Sequence, residues 1–254
     1  MAYVLTDVGV FVGGYDLTNG ASSIEMGGTC VMQEKSNFAS KKFQQFLPGL
    51  KTYTAQVGGY ADYASVTSVG RAFALNAIGN QQAVTALPNV SGTHTAGDDA
   101  HFTRALRSTF QSPTGVVGDV AAYAMALQSD APMVDGKLLF PKAAVTSSST
   151  GSVVAMTGPT ATQYLYAALH VFELSGTSPT LDVKIQSAAL VGFGSPTDRV
   201  TFTQATGASA NTSQWATPLA GAITDGFWRV SYTVSGTGTP TFSFAVVAGV
   251  LTVP

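Results

Sequence analysis

The densest grouping of residues able to hold a metal ion or move protons is His94-Thr-Ala-Gly-Asp-Asp-Ala-His101, two histidines seven apart flanking Asp98 and Asp99. Imidazole nitrogens and carboxylate oxygens ligate divalent ions, but this spacing matches no metal motif, and a loop leading into a capped helix is the preferred reading. His170, alone in Leu169-His170-Val171, has the setting of a hydrogen-bonded structural histidine on a strand. Serine hydrolysis lacks a Gly-x-Ser-x-Gly elbow, and Gly194-Ser195-Pro196 places a proline where the helix after a nucleophile would start. The pairs Gly13-Gly14, Gly27-Gly28 and Gly58-Gly59 lack the Lys-Ser/Thr of a phosphate loop, so they read as turns or bulges. Trp215 and Trp228, with Tyr164, Tyr166 and Phe227, are candidate exposed aromatics for a sugar or an apolar partner, although alternation favours core packing for about half of them. No catalytic, cofactor-binding or metal site is expected.

One segment fits an interface better than a core: Gln33-Glu-Lys-Ser-Asn-Phe-Ala-Ser-Lys-Lys-Phe-Gln-Gln-Phe-Leu-Pro-Gly-Leu-Lys51. It joins two good strand signals, and a connection of this length is long for a hairpin and usually functional. Lys35, Lys41, Lys42 and Lys51 alternate with Phe38, Phe43 and Phe46, the composition of aromatic anchors inside a polar rim. These seven residues are the candidate intersubunit arm. Nucleic-acid binding and a solvated loop are the competing readings of the same residues.

The elements that would position this arm are mainly extended. Alternation and β-branched or aromatic runs mark strands over 8–15, 23–33, 50–60, 116–127, 164–174, 181–186, 199–204, 227–234 and 241–250. Two helices are expected: 62–78, from Val66, Val69, Phe73 and Ile78, and 98–110, where Asp98 and Asp99 precede Phe102, Leu106 and Phe110 at spacings of four. Thr146-Ser-Ser-Ser-Thr-Gly-Ser152 has no apolar anchor and reads as a linker, dividing the chain into 1–145, with the arm at about 33–49, and 153–254. The alternative is a surface loop inside one domain. Ser175-Gly-Thr-Ser-Pro-Thr-Leu-Asp-Val-Lys-Ile185 recurs as Ser235-Gly-Thr-Gly-Thr-Pro-Thr-Phe-Ser-Phe-Ala-Val246. Each copy reads as a hairpin whose Gly and Pro mark the reversal, and two such hairpins imply a β-sandwich or barrel.

Composition narrows the function classes. The 254 residues are 45% hydrophobic and only 10% charged, against the ~25% charge of an ordinary soluble domain. With 27 Gly and 11 Pro, backbone pairing and neutral hydroxyls replace surface charge, which favours a subunit of an assembly over a solitary enzyme. A net charge of −2 gives no positive field for a sequence-reading nucleic-acid module. The single Cys30 forms no intrachain disulfide and is expected to be small, buried or half-buried packing. The first fourteen residues carry Asp7 and no basic region, unlike a signal peptide, and no apolar run reaches the ~20 residues of a membrane helix, so a soluble chain is expected.

Three places resemble the major tail, or tail tube, proteins of long-tailed bacteriophages: Tyr15-Asp-Leu-Thr-Asn19 before a strand and the long loop; Phe46-Leu-Pro-Gly-Leu-Lys-Thr-Tyr-Thr-Ala-Gln-Val-Gly-Gly-Tyr60; and, C-terminally, Leu165-Tyr-Ala-Ala-Leu-His-Val171, Ser175-Gly-Thr-Ser-Pro-Thr180 and Thr224-Asp-Gly-Phe-Trp-Arg-Val230. The resemblance implies a mainly β fold, a sandwich or barrel with a long hairpin arm plus a second β-sandwich unit, which is either a duplicated tube half or an outer decoration. It implies a virion protein without enzymatic activity or cofactor, forming trimeric or hexameric stacked rings around the tape-measure protein and meeting terminator and tip proteins. DNA would pass without specific binding, nothing would insert into a membrane, and assembly would occur in the host cytoplasm. The alternatives are a capsid-decoration or spike β-protein and a carbohydrate-binding module.

Overall fold

The computed structural model describes residues 7–36, 43–61, 78–89, 92–114, 116 and 118–252. Within them the strands are β1 (Asp7–Val12), β2 (Tyr15–Asp16), β3 (Ala21–Glu34), β4 (Phe46–Tyr60), β5 (Gln81–Asn89), β6 (Asp99–Thr114), β7 (Ala122–Ser129), β8 (Val134–Val145), β9 (Ser149–Thr150), β10 (Val154–Ala155), β11 (Gln163–Ala188), β12 (Thr197–Thr201), β13 (Thr212–Trp215), β14 (Leu219–Ala220) and β15 (Phe227–Thr252). The fold is mainly β, as the alternation implies. The expected helix over 62–78 falls outside the described residues except for Ile78, which is exposed in a turn.

The other expected helix, 98–110, is instead most of β6. Spacings of four put Phe102, Leu106 and Phe110 on one face of a helix, but they also put them on one face of a strand, where side chains alternate with period two. Tertiary pairing decides between these. β6 bonds β5 along one edge, while its other edge bonds β8 at 99–102 and β7 from 105 onward, so the strand is a fork at the centre of the sheet. Both of its faces are covered: Ala100 and Phe102 enter one core cluster and Ala105 another.

The hydrogen-bonded path runs β12-β11-β15-β8-β6-β5-β1-β2, and β7, β4 and β3 follow in turn from the fork. Every pairing is antiparallel. The branch β1, β4, β5, β6 and β7 curves around Val10, Val12, Leu17, Val57, Val84 and Met125. A second cluster, including Phe11, Phe102, Leu138, Tyr166 and Val247, joins that branch to β11 and β15. A third lies within the C-terminal part, with Leu165, Ile185, Trp228, Val230 and Phe244. Two proline-bearing strands escaped the sequence reading. Pro88 pairs only with β1, beyond the end of the β5–β6 ladder, and Pro141 lies where the β8–β15 register slips between Phe140 and Ala143. Both are places where a missing N–H breaks no ladder bond.

The repeated segment corrects the hairpin expectation. The two copies do not turn back on themselves. They pair with each other in the middle of two continuous 26-residue strands, with Ser175 opposite Thr241, Thr177 opposite Thr237 and Thr180 opposite Ser235. Register slips there, and Gly176, Ser178, Gly236, Gly238 and Thr239 all have positive φ, so the Gly-rich runs bend the ribbon while its hydrogen bonding resumes on either side. The bend lets Leu181, Val183 and Ile185 face Leu165, Leu169 and Val171 of the same strand across one core. Within 146–152, Ser149 and Thr150 pair with β15, and the Ser148 hydroxyl accepts from the Val234 amide at 3.0 Å.

The two parts also meet at a buried histidine. His170 on β11 is fully enclosed, its Nδ1 2.6 Å from the Gly13 carbonyl and its Nε2 2.8 Å from Thr85 Oγ1. A carbonyl only accepts, so Nδ1 carries the proton and Nε2 accepts from the threonine hydroxyl. Burial pushes the His170 pKa down to about 4, against the opposing pull of the Gly13 bond and of Asp16. Next to it, Gly14 has no room for a side chain: a Cβ there would stand 2.3 Å from the Val171 carbonyl oxygen.

Candidate functional site

Both described ends of the connection read from sequence as a long loop continue as ribbon. β3 and β4 remain paired out to Glu34 opposite Phe46, and the Lys35 amide still donates to the Gln45 carbonyl at 2.8 Å. At its foot the ribbon is ordinary: Ile24 opposite Val57 and Met26 opposite Ala55 turn towards the core inside the curved branch of β1, β4, β5, β6 and β7, where Ala55 and Val57 are buried. Farther out, Gly28 faces Tyr53, whose ring lies where a Cβ on residue 28 would stand, at 2.6 Å. This aromatic ring over a cross-strand glycine shields backbone that lacks a side chain of its own.

Beyond this point alternation of burial stops. Residues 31–36 and 43–51 are exposed without exception, so both faces of the ribbon stand clear of the rest of the subunit. The exposed set includes Val31, Met32, Phe43, Phe46, Leu47 and Leu50, with Leu50 at 82% and Phe43 at 78%. A two-stranded ribbon with neither face packed is at best marginally stable in water. Of the seven residues expected in the arm, Lys35, Phe43, Phe46 and Lys51 lie on this projection. Phe38, Lys41 and Lys42 lie outside the described residues. Val31, Met32 and Leu50 were missed as anchors because they fall in expected strands, and Leu47 because only the lysines and phenylalanines of the arm were singled out; two consecutive apolar residues at 31–32 were the available signal.

At the foot of the arm the curved sheet leaves a groove of about 330 Å³ lined by Val8, Ile24, Met26, Ala86, Pro88, His101 and Met133. Val8, Ile24 and Met26 are the partly buried rim of the core inside that sheet, so the groove is its uncovered mouth. Asp135 reaches it through His101, one of the lining residues. Lys137 bonds Asp99 at 2.6 Å and Arg104 bonds Asp130 at 3.0 Å, whereas Asp135, 79% exposed, faces only His101 at 3.5 Å among the described ion pairs.

The other sequence candidates resolve differently. Trp228 is not an exposed aromatic: it is 0% exposed in the C-terminal core, and its Nε1 donates to the Met156 carbonyl at 2.7 Å. Alternation on β15 places residues 228 and 230 inward together. Trp215 is half-buried against Phe102 and Tyr166, at ring separations of 5.6 and 6.0 Å, beside a different core cluster. The two tryptophans therefore share no platform. His94 and His101 do not meet in a metal site, and among the described residues no three His, Cys, Asp or Glu side chains come together. Cys30 is half-buried on β3.

The three cations after residue 152 each bond across strands around β11 and β12. Lys184 bonds Asp198 at 2.7 Å, Gln186 links Asp198 to Arg229, and Arg199 reaches both Ser187 and Asp225. The Ser187 hydroxyl and the Arg199 guanidinium hold Asp225 below the ordinary carboxylate range, and Lys184 does the same for Asp198. Lys184 and Arg199 are each paired with a carboxylate, and Arg229 bonds the Gln186 amide and lies over the Phe193 ring. They stitch strand to strand on the margin of the C-terminal core.

No family model matches the chain. No curated protein matches it either. Among solved structures it is similar to a chain of the sheath–tube complex of an extracellular contractile injection system, with 13% identity, TM-score 0.42, and coverage of 54% of this chain and 92% of that one. It is also similar to the SPP1 tail tube, with 16% identity, TM-score 0.40, and coverage of 53% and 78%. A third similarity, to the SPP1 Dit hub protein, spans 96% of this chain and 99% of that one at 9% identity and TM-score 0.35. At these scores the likeness by itself assigns no fold.

Proposed function

We propose that this chain is a structural, non-enzymatic subunit of a bacteriophage tail tube, polymerising as stacked rings around the tape-measure protein and forming the channel for DNA. The observation that carries the reading is the two-faced apolar arm. Burying a large apolar side chain is worth about 1.5–3 kcal/mol, and six of them stand in water on a ribbon that its own subunit does not cover. A neighbouring subunit is the surface that such a ribbon lacks. The sheet ends support the same role: among the described residues β3 pairs only with β4 and β12 only with β11, leaving edges that adjacent subunits would complete. The low charge of the chain fits extensive contact between copies.

In this reading residues 1–145 are the tube-forming unit with its arm, 153–254 are a second β unit, and 146–152 connect them. Rings of three or six subunits, contacts with terminator and tip proteins, and a place in the virion tail after assembly in the host cytoplasm belong to the same proposal. The test is electron microscopy of the purified protein at rising concentration, beside a variant lacking 37–45. Wild type should form stacked rings or hollow tubes, and the variant should stay folded by circular dichroism yet remain dispersed. Small uniform particles of wild type at every concentration, or long tubes from the deletion variant, would refute the assignment.

A further inference from the structure

The groove at the foot of the arm is the surface that matches the arm tip in chemistry. It is apolar along its floor, with two methionines whose unbranched chains adapt to an incoming side chain, and its volume suits one or two residues of leucine size. Beside its lining residue His101 stands the exposed carboxylate of Asp135, which meets no lysine or arginine among the described residues. The arm is the complement: apolar at Val31, Met32, Phe46, Leu47 and Leu50, and basic, with Lys35, Lys41, Lys42 and Lys51 against a single Glu34 over 33–51. Lys35 and Lys51 enter no ion pair among the described residues.

A subunit's own tip is out of reach. Met26 lines the groove and Glu34 closes the ribbon eight residues farther along the same strand, which at ~3.4 Å per residue is roughly 27 Å away. We infer that the groove lined by Val8, Ile24, Met26, Ala86, Pro88 and Met133 receives the arm tip of a second copy of this chain, with arm lysines facing Asp135. Because arm and groove are different patches, the contact is head-to-tail, and such contacts propagate as rings or filaments instead of stopping at a dimer. The inference rests on the tube reading and names the receptor surface for the arm.

Disulfide trapping tests it. In a Cys30→Ser background, Leu50→Cys and, separately, Leu47→Cys protein is mixed with differently tagged Met133→Cys protein, assembled and oxidised. Mixed disulfides should appear in assemblies, with none from either partner alone. Assemblies visible by electron microscopy without a mixed disulfide from either arm position would overturn the groove assignment and leave the tube reading standing. Absence of any assembly by wild type would overturn both. A charge exchange gives a second readout on exposed residues that do not carry the fold. Asp135→Lys should raise the concentration needed for assembly at least about tenfold at low salt, and Asp135→Lys combined with Lys51→Glu should restore it. Loss in the first without recovery in the second would count against the pairing.

Discussion

His170 offers a quantitative test of how the two parts of the chain are held together. The perturbation is pH, with His170→Gln as the reference variant that does not titrate. In the folded protein the imidazole is enclosed by Gly13, Thr85, Phe11 and Phe172 and its pKa is pushed down from 6.5 to about 4 by desolvation. In the unfolded chain it regains a value near 6.5. As pH falls below 6.5 the unfolded state takes up a proton that the native state refuses, so stability drops until the native pKa is reached. The gap multiplied by ~1.4 kcal/mol per unit gives about 3 kcal/mol, present in full above pH 6.5 and lost by pH 4. Urea unfolding at pH 7, 6, 5 and 4 measures it. Carboxylates titrate in wild type and in His170→Gln alike, so the difference between the two proteins isolates the histidine. Wild type should lose about 3 kcal/mol more than the variant between pH 7 and pH 4. Parallel profiles would mean that the imidazole is solvated or paired with an anion in the folded state, and the buried neutral bridge would be wrong.

Trp228→Ala should cost about 3–5 kcal/mol, because it removes a fully buried indole and leaves the Met156 carbonyl without its donor, whereas a solvent-facing sugar platform would lose almost nothing; thermal unfolding separates the two. Gly14→Ala should destabilise by more than about 3 kcal/mol, seen as a melting temperature lower by about 6–12 °C, since the new methyl would overlap the backbone at Asn211, Thr212 and Val171. Asp225→Asn should cost about 1–2 kcal/mol at pH 7 by weakening the Ser187 and Arg199 bonds to a partly buried carboxylate. That deficit should shrink in acid, because a depressed carboxylate pKa contributes stability above the unfolded value and loses it as pH falls through the folded one.

Alternation along 23–33 and 50–60, and the β-branched and aromatic run over 164–174 that is buried on both faces, were sufficient to read a β protein. Likewise the length and lysine–phenylalanine composition of 33–51 marked an arm without any coordinates. The strand β6 could not be told from a helix, since a spacing of four satisfies both periods and only its pairing with β5, β7 and β8 removes the ambiguity. The repeat at 175–185 and 235–246 announced itself as Gly- and Pro-rich, but a turn and a bend use the same residues; which one forms depends on a partner sixty residues away.

Trp228 and Trp215 make the same point for the surface. Both are aromatic in strands, and their exposure follows from which sheet face meets a second layer, a property of the folded chain as a whole. Local order thus determined strand type, low charge and the position of the arm, because these depend on neighbouring residues along the chain. The buried His170 bridge, the mouth left open beside Met26 and Met133, and the loss of alternation beyond Cys30 were decided only by tertiary structure, because each arises where segments distant in sequence do or do not cover one another.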